Sequence, residues 1–420
     1  FGMLLSIIIY MLNHMDPIID YQNIAPEELC PSPLAEPFIV EDPAITQLRI
    51  DILAHIESLR LPETNAETPD KEIIRFSHAQ QRQEVAQHQW QAIGRHVNHL
   101  LDHFANGDEV NPERIKPVLV PVLSDHWTGN LFRLATLLWS VPVSNGYGRR
   151  MRFLVQDQYN GKLIGIFALG DPVFNLGCRD QWIGWDVNDR RDRLVHLMDA
   201  YVVGAVPPYN EILGGKLVAS LIGSAEVSHA FSQKYGNVTG IISGQNKAAK
   251  LMLVTVTSAL GRSSLYNRLK LIDHNGTQLV NFQKIGETRG YGHFQLSNDL
   301  FERIRQLLVN ENHPYANGHQ FGQGPNWRFR VLRVGLKYLG LDEELIRHGI
   351  HREVYAMPMT SDFKDFLCGR IHESNLLRPS IETISTAALD RWVVPRSNRY
   401  QQYQQFQRNQ ILERIRIGTD

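Results

Sequence analysis

The stretch YVVGAVPPYNEILGGKLVAS, residues Tyr201 to Ser220, decides the fold of this chain. Its first six residues are mostly apolar, and the prolines that follow cannot continue a ladder of hydrogen bonds, so a buried strand is predicted at Tyr201 to Val206. Leu213, Leu217 and Leu221 then recur at helical spacing. The stretch therefore predicts a strand that leads through a proline corner into a helix.

Two glycines lie near the start of that predicted helix. A glycine inside a helix costs about 1 kcal/mol relative to alanine. The usual compensation is the close approach of another backbone or of a ligand such as a pyrophosphate to Gly214 and Gly215. Tight packing of the helix on the sheet is the alternative. Asn210 is predicted to cap the helix.

Charge is nearly balanced over the chain, with 43 basic and 44 acidic residues, but it is unevenly distributed. The segment from Asp16 to Glu72 holds 13 acids and 3 bases, which leaves an excess of nine positive charges elsewhere. A basic body behind an acidic arm is typical of nucleic-acid binding. A solubilising tail on a mildly basic domain is the alternative.

The cysteines and the N-terminus bear on location. The 420 residues include three cysteines far apart in sequence, which indicates neither a disulfide framework nor a metal site and favours the cytoplasm. The apolar start FGMLLSIIIYMLNH is too short to span a bilayer and lacks the basic residue of a signal peptide. Met15 is a plausible start, so residues 1–14 are candidates for non-native sequence.

Four regions are predicted along the chain. They are an extended acidic arm at 1–44, a helical region at 45–140, an α/β core at 141–309, and a basic helical region with a tail at 310–420. A hairpin around Asn160 and Gly161 and a buried strand at Leu251 to Thr257 support the core. The tail after Asp390 interleaves six arginines with aromatic residues.

The order of elements in the core is hairpin, strand, glycine-bearing helix, strand, short helix and two strands. It resembles the acyl-CoA-dependent N-acetyltransferase (GNAT) core, which implies an α+β fold around one mixed sheet. In that family the helix after the fourth strand binds the coenzyme pyrophosphate with its N-terminal amides. No cofactor follows from the residues alone. The resemblance implies an acyl-CoA held by Asn210, Gly214, Gly215 and Lys216.

Several longer segments resemble the Druantia DruA family of anti-phage defence proteins. These segments are RDQWIGWD, GAVPPYNEILGGKLVASL, SSLYNRLK, KIGETRGYGHFQL, GPNWRFRVLRVGLKYLGL and HGIHREVY, in this order between about Met151 and Tyr355. The same core is similar to the Mom DNA-modification proteins of phages. The resemblance implies a role in a multi-gene defence system with a large helicase-like partner, and it implies no established reaction.

Three residues are candidates for catalysis. Tyr266 and Ser264 follow a buried strand, where the GNAT resemblance implies catalytic hydroxyls, and Tyr266 would be a general acid. Asp186 closes the segment RDQWIGWD, which is predicted to be a loop, and would act as a base or hold an exocyclic amine. The alternative is structural, with the tryptophans of this segment in the core, Asp186 capping the next helix and Ser263 capping a turn.

Cations and aromatic side chains supply the candidates for nucleic-acid binding. Trp182 and Trp185 offer faces for base stacking, and Lys284 and Arg289 flank a glycine-rich bend that suits a phosphate backbone. A plain hairpin explains the glycines equally well. The whole predicted set is Arg179, Trp182, Trp185, Arg262, Arg268, Lys284, Arg289, Arg328, Arg330, Arg333, Arg396 and Arg399.

These observations predict a component of an anti-phage defence system that engages nucleic acid, DNA in preference to RNA. The alternatives are an acyl-CoA-dependent transferase that modifies a nucleobase, and a scaffold for the helicase partner. The sequence has no GxxxxGK[ST], HExxH or GxSxG motif, so energy for strand separation has to come from partners. A membrane partner is not expected, and an oligomer is compatible with the sequence.

Overall fold

A mixed β-sheet runs through the computed structural model, which describes residues 42–59, 71–124, 126–144, 146, 148–237, 248–288, 296–318, 325–346, 350–375 and 377–416. In these ranges seven strands pair in the order β1-β2-β3-β4-β5-β9-β8, and β6 and β7 form a separate hairpin. The strands are β1 Pro117–Pro121, β2 Arg150–Asp157, β3 Lys162–Gly170, β4 Leu197–Ala205, β5 Leu253–Thr257, β6 Lys270–Ile272, β7 Gln278–Asn281, β8 Gln283–Glu287 and β9 Glu353–Pro358.

Helices cover both faces of this sheet. They are α1 Pro43–Leu59, α2 Lys71–Ser77, α3 Ala79–Ile93, α4 Val97–Leu101, α5 Trp127–Thr136, α6 Gly177–Ile183, α7 Val187–Arg193, α8 Gly214–Leu221, α9 Ala225–Tyr235, α10 Asn298–Asn310, α11 Pro325–Tyr338, α12 Phe363–Leu367, α13 Ile381–Ala388, α14 Val394–Arg399 and α15 Gln410–Arg416. A π-helical turn, Leu389–Val393, joins α13 to α14.

The core has two layers on the sheet and a smaller cluster beside it. Helices α8, α9 and α13 pack on one face. Helices α3, α4, α5 and α15 cover β2 to β4 on the opposite face, and α6 and α12 cover β4, β5 and β9 there. Helices α1, α10 and α11 bury their apolar faces against one another. The predicted α+β class is confirmed.

One pair of strands breaks the antiparallel pattern. Strands β4 and β5 pair in parallel, and their register covers Leu197 to Asp199 against Leu253 to Thr255. Strand β4 has nine residues and pairs with β3 as far as Ala205, but only its first three residues pair with β5. The hydrogen bonds therefore leave a gap between the two strands beyond Asp199.

The opening stretch forms the elements that its pattern predicts, with one correction. The strand and the helix are present as β4 and α8. Asn210 does not cap the helix, because Tyr209–Ile212 forms a 3₁₀ turn first and Leu213 precedes α8 in the left-handed conformation, at φ 63°. The chain therefore reverses direction through two prolines and a short 3₁₀ turn, and α8 begins only at Gly214.

The segment RDQWIGWD was predicted to be a loop, and that prediction is wrong. Its first residues lie in α6, and Gly184 ends the helix in the left-handed conformation, at φ 94°. A helix end at a left-handed glycine is common, because glycine has no Cβ to clash. The sheet also extends beyond residues 141–309, since β1 comes from the preceding region and β9 from the following one.

Tyr209 fixes the proline corner to the hairpin of β2 and β3. Its hydroxyl donates to Asp157 Oδ2 at 3.0 Å and accepts from Asn160 Nδ2 at 2.8 Å. Asp157 is fully buried, and its other oxygen accepts the amides of Lys116 and Tyr159. All of these polar groups are hydrogen-bonded within the protein, and the network ties the corner that precedes α8 to the sheet.

The two glycines of α8 are expected to respond oppositely to alanine. A Cβ at Gly214 would lie 2.6 Å from Tyr209 O, whereas a Cβ at Gly215 would meet Leu265 Cδ1 at an ordinary 3.6 Å. Gly214→Ala should therefore lower the free energy of unfolding by about 1–3 kcal/mol. Gly215→Ala should leave it unchanged or raise it by up to about 1 kcal/mol. Urea denaturation of the two variants tests this, and an equal loss in both would contradict it.

Burial of His196 predicts a pH dependence of stability. Burial lowers its pKa from 6.5 to about 4, and its Nδ1 accepts the Lys250 amide at 3.0 Å. Between these pH values the unfolded chain takes up a proton that the folded protein does not bind. This contribution to stability is therefore complete above pH 6.5 and declines towards pH 4 by up to about 1.4 kcal/mol per pH unit.

The matched variant is His196→Asn, whose side-chain oxygen can still accept the Lys250 amide. Denaturation at several pH values should show a smaller loss between pH 6.5 and 4 in this variant than in the wild type. Parallel stability profiles for the two proteins would refute the assignment.

Candidate functional site at the gap between the central strands

Asp199 lies at the point where β4 and β5 stop pairing. Thr255 Oγ1 of β5 donates to Asp199 Oδ1 at 2.7 Å. Burial raises the pKa of this carboxyl to about 6, against the lowering effects of the Thr255 hydrogen bond and of the Arg179 charge. Asp199 is thus a carboxyl whose protonation changes near neutral pH.

Two tyrosines lie on the side of the gap that faces α8. The Tyr266 ring is 5.6 Å from that of Tyr355 and 5.2 Å from that of Phe282. Burial, and then the charge of Asp199, raise the pKa of Tyr266, so its hydroxyl stays protonated. Tyr266 is 7% exposed and belongs to the main core, so it also has a packing role.

Glu353 closes this cluster on the next strand. Its carboxylate accepts from Tyr355 Oη, from the Ser263 amide at 3.1 Å and from Lys284 Nζ at 2.9 Å. Burial alone would raise its pKa, but these three donors hold the pKa of Glu353 below its usual value. Glu353 is therefore a fixed negative charge beside Tyr355 and Lys284.

Arg179 is the residue whose positive charge lowers the pKa of Asp199, and its side chain is fully buried. Its guanidinium donates to Asp180 Oδ1 at 2.8 Å and to the carbonyls of Val173 and Phe174. Arg190 binds the other oxygen of Asp180 at 2.7 Å. Arg179 was a candidate for nucleic-acid binding, but the structure places it in the interior with no exposed surface to offer.

A cationic cluster lies at the start of α8 and is defined by Lys216, Arg268 and Arg391. Lys216 Nζ lies 5.2 Å and Arg391 Cζ 5.9 Å from the ring centre of Trp392. Burial and then the charges of Arg391 and Arg268 lower the pKa of Lys216. In the described ranges no carboxylate forms an ion pair with any of the three, and both arginines are exposed.

The aromatic and acidic side chains of RDQWIGWD that were predicted to bind or react all contact other groups of the protein. Trp185 is buried and its Nε1 donates to Leu367 O at 2.6 Å, while Trp182 stacks on Phe363 at 5.2 Å. Asp186 accepts from the Asp189 amide at 2.8 Å and caps α7. These contacts match the structural alternative for this segment and place it apart from the cationic cluster.

The remaining candidates are dispersed. Ser264 and Arg262 are exposed beside the turn that Ser263 caps by accepting two amides. Lys284 pairs with Glu287 and Glu353. The arginines of α11 contact neighbouring side chains: Arg328 lies over the ring of Phe301, Arg330 lies over the ring of Tyr315, and Arg333 forms an ion pair with Glu343. In α14, Arg396 lies over the ring of Tyr400 and Arg399 donates a hydrogen bond to Pro395 O. Arg289 lies outside the described residues.

Sequence reasoning missed Asp199, Glu353, Tyr355 and Arg391. An acid inside an otherwise apolar strand, as in LMDAYVVGA, was a usable signal for Asp199, because acids are rarely buried. The other three had no local signal, since their roles depend on strands and helices distant in sequence. Among the described residues no three His, Cys, Asp or Glu side chains are placed to share a metal ion.

Most of the chain is similar to one known protein family. The family model of the Druantia protein DruA matches residues 67–369. The chain belongs to the DruA family. A Druantia protein DruA from Escherichia coli (strain UMEA 4076-1) is 44% identical over 375 residues, which cover 88% of this chain and 92% of that protein. No solved structure matches.

Membership in the DruA family supports the coarser prediction from the sequence, a component of a Druantia-type defence system. The family match includes the gap with Asp199 and Glu353 as well as Lys216 and Arg268, whereas Arg391 lies beyond it. No helix in the described part of the chain is long and apolar enough to cross a bilayer.

The cap formed by Asp186 yields a test of its role. Asp186→Ala should lower the free energy of unfolding by about 0.5–2 kcal/mol, because an amide of α7 loses its acceptor. Asp186→Asn should stay within about 0.5 kcal/mol of the wild type, since asparagine caps equally well. Chemical denaturation of both variants measures this. Loss of phage protection by a stable Asp186→Asn variant would instead favour the predicted base.

Proposed function

We propose that this DruA-family protein is a component of an anti-phage defence system that engages nucleic acid through the cationic cluster of Lys216, Arg268 and Arg391. The observation that carries the proposal is the lack of acidic partners for these cations in the described ranges. Most other arginines of the predicted set contact groups of the protein itself. Cations kept unpaired at a surface provide the electrostatic attraction that phosphate groups need.

The surroundings of the cluster favour phosphate over other anions. The cluster adjoins the first turn of α8, where the helix dipole also favours negative charge. Trp392 holds Lys216 and Arg391 close together, at a cost in mutual repulsion that a bound anion would relieve. Arg396 and Arg399 of α14 follow Arg391 along the chain and extend the positive charge.

The exposed arginines of the cluster are expected to set the salt dependence of DNA binding. Each phosphate contact contributes about 0.7–0.9 to the slope of log affinity against log salt, so Arg268→Ala/Arg391→Ala should lower that slope by about 1.4–1.8. Fluorescence anisotropy with single-stranded and double-stranded oligonucleotides measures the slope, and RNA oligonucleotides test the expected preference for DNA.

The matched control removes two arginines that already have carboxylate partners, the half-buried Arg305 with Glu302 and the exposed Arg370 with Asp365. Arg305→Ala/Arg370→Ala changes the net charge equally and should keep the wild-type slope. If both double variants behave alike, the cluster has no special part in binding. If the wild-type protein binds with no salt dependence, nucleic-acid engagement by this surface is excluded.

An acyl-CoA-dependent transferase that modifies a nucleobase is the second candidate. Its support is the order of elements, with the glycine-bearing α8 after the fourth strand and a parallel pair of strands that separates beyond Asp199. Calorimetry with acetyl-CoA and with desulfo-CoA decides whether the protein binds the coenzyme. A helicase-like partner is also proposed, and co-purification from cells carrying the whole system tests it.

A further inference from the structure

A polar cavity lies between the turn that precedes β1 and the C-terminal segment. Its volume is about 390 Å³, which is enough for a small organic molecule. One wall is the 3₁₀ turn Gly107–Glu109 with the loop that follows it, and Tyr159 from the turn between β2 and β3 also lines this side. The opposite wall is the end of α14 and the 3₁₀ turn Gln401–Gln405.

Close contacts hold the two walls at a fixed separation. The Gly107 amide donates to Phe406 O at 2.8 Å, and a Cβ at Gly107 would clash with the carbonyl of Tyr403. Arg408 joins the walls a second time, because its guanidinium donates to Glu109 Oε1 at 2.8 Å. The cavity is therefore already formed, and a ligand does not have to order it on binding.

The lining of the cavity carries negative charge. The carboxylates of Asp108, Glu109 and Glu113 line it, whereas no Lys, Arg or His side chain of the described residues does. Glu109 is paired with Arg408, but Asp108 and Glu113 are exposed and form no ion pair within the described ranges. Two carboxylates thus lack a counter-charge, so the cavity attracts cations and repels phosphate groups.

The uncharged lining residues add hydrogen-bond acceptors. Tyr403 is only 3% exposed, and its hydroxyl accepts one long hydrogen bond, 3.5 Å from Gln404 Nε2, and donates to no group in the described part of the chain. A nearly buried phenol with unused hydrogen-bonding capacity beside a cavity marks a position for a ligand group. Four carboxamides also line the cavity, those of Asn111, Asn398, Gln401 and Gln404.

The ligand that fits this lining is larger than a metal ion. Among the described residues no three His, Cys, Asp or Glu side chains are placed to share a metal ion, so the three carboxylates of the cavity do not form one coordination sphere. An ammonium group donates three hydrogen bonds and accepts none. Carboxylate, carboxamide and phenol oxygens distributed around a cavity therefore match a molecule with several amino groups.

We propose that this cavity binds a small aliphatic cation with at least two amino groups, a diamine or polyamine, with one ammonium group on Asp108 and another on Glu113. The oxygens of Tyr403 and of the carboxamides accept the remaining N–H groups. The proposal goes beyond nucleic-acid engagement, because it assigns a ligand of the opposite charge to a surface that shares no residue with the cationic cluster.

Calorimetric titration of the full chain with unbranched diamines of three to eight carbons, in the absence of nucleic acid, tests the proposal. We expect one diamine to bind per chain, most tightly at one chain length, because the walls hold the two carboxylates at a fixed separation. The monoamine of that length should bind more weakly. Equal binding of monoamine and diamine, or an affinity independent of chain length, would overturn the proposal, because general charge attraction would then explain the signal.

Asp108→Asn/Glu113→Gln removes both unpaired charges and keeps the size of the side chains. The affinity for the best diamine is expected to fall about 10-fold, from the loss of two exposed ion pairs. Glu373→Gln/Glu413→Gln removes two exposed acids that do not line the cavity, and this variant should keep the wild-type affinity. If the two double variants lose affinity to the same extent, the cavity is not the binding site.

Tyr403→Phe tests the hydroxyl without a change in charge. The affinity for the diamine is expected to fall about 2–10-fold, because one hydrogen-bond acceptor is lost. The melting temperature of the free protein should stay close to the wild type, since the hydroxyl has only its long hydrogen bond to lose. Wild-type affinity in both Tyr403→Phe and the variant of Asp108 and Glu113 would refute the site.

Nucleosides are the competing class of ligand, because carboxylates and carboxamides also bind the amino groups of bases. Adenosine and cytidine, which carry no phosphate, are titrated into the same protein. Weaker binding of both nucleosides than of the best diamine supports the amine site. Tighter binding of either one, lost in Asp108→Asn/Glu113→Gln, would assign the cavity to a nucleobase and overturn the proposal.

Discussion

The short parallel pairing of β4 with β5 is the constraint on which the rest of the structure depends. It joins the antiparallel strands β1 to β4 to the antiparallel group β5, β9 and β8. A parallel neighbour requires a long crossover, and here that crossover contains α8 and α9. Because the ladder covers only three residues of β4, the backbone pairing of β4 with β5 ends at Asp199, in the middle of the sheet.

Two polar networks lie on either side of β4 and β5 in the sheet. On the α8 side, Tyr209 ties the proline corner to Asp157 and thereby sets where the first turn of α8 lies. On the β9 side, Glu353 gathers Tyr355, Lys284 and the Ser263 amide. Both networks satisfy their own polar atoms, so they behave as rigid supports. Asp199 on β4 accepts one side-chain hydrogen bond, from Thr255 of β5, and burial raises its pKa to about 6.

The C-terminal helices give the surface beside α8 its charge. Helix α13 and the turn that follows it pack on α8, and Trp392 enters the main core beside Lys216. This packing places Arg391 next to Lys216, although 174 residues separate them in sequence. The cluster therefore combines an element of the family-matched region with one from beyond it.

The sequence by itself determined the local elements and much of the fold class. Apolar runs predicted β4 and β5, the turn at Asn160 and Gly161 predicted the hairpin of β2 and β3, and helical spacing predicted α8, because burying one face imposes a period on the chain. The resemblance to the DruA family, carried by motifs such as GAVPPYNEILGGKLVASL, also came from the sequence. Tyr266, Lys216 and Arg268 were predicted to be a catalytic, a cofactor-binding and a nucleic-acid-binding residue, and these roles remain predictions.

Only the tertiary structure decided what the polar residues do. Asp186 looked like a base and is a helix cap, and Arg179 looked like a nucleic-acid contact and lies in the interior. The hydrophobic periodicity of a segment indicates which face of a helix or strand is buried. It does not indicate which charged residues from distant parts of the sequence lie next to each other. The environments of Asp199 and Glu353 depend on the pairing of β4, β5, β9 and β8, which are up to 161 positions apart in sequence, and on burial that only the assembled sheet produces.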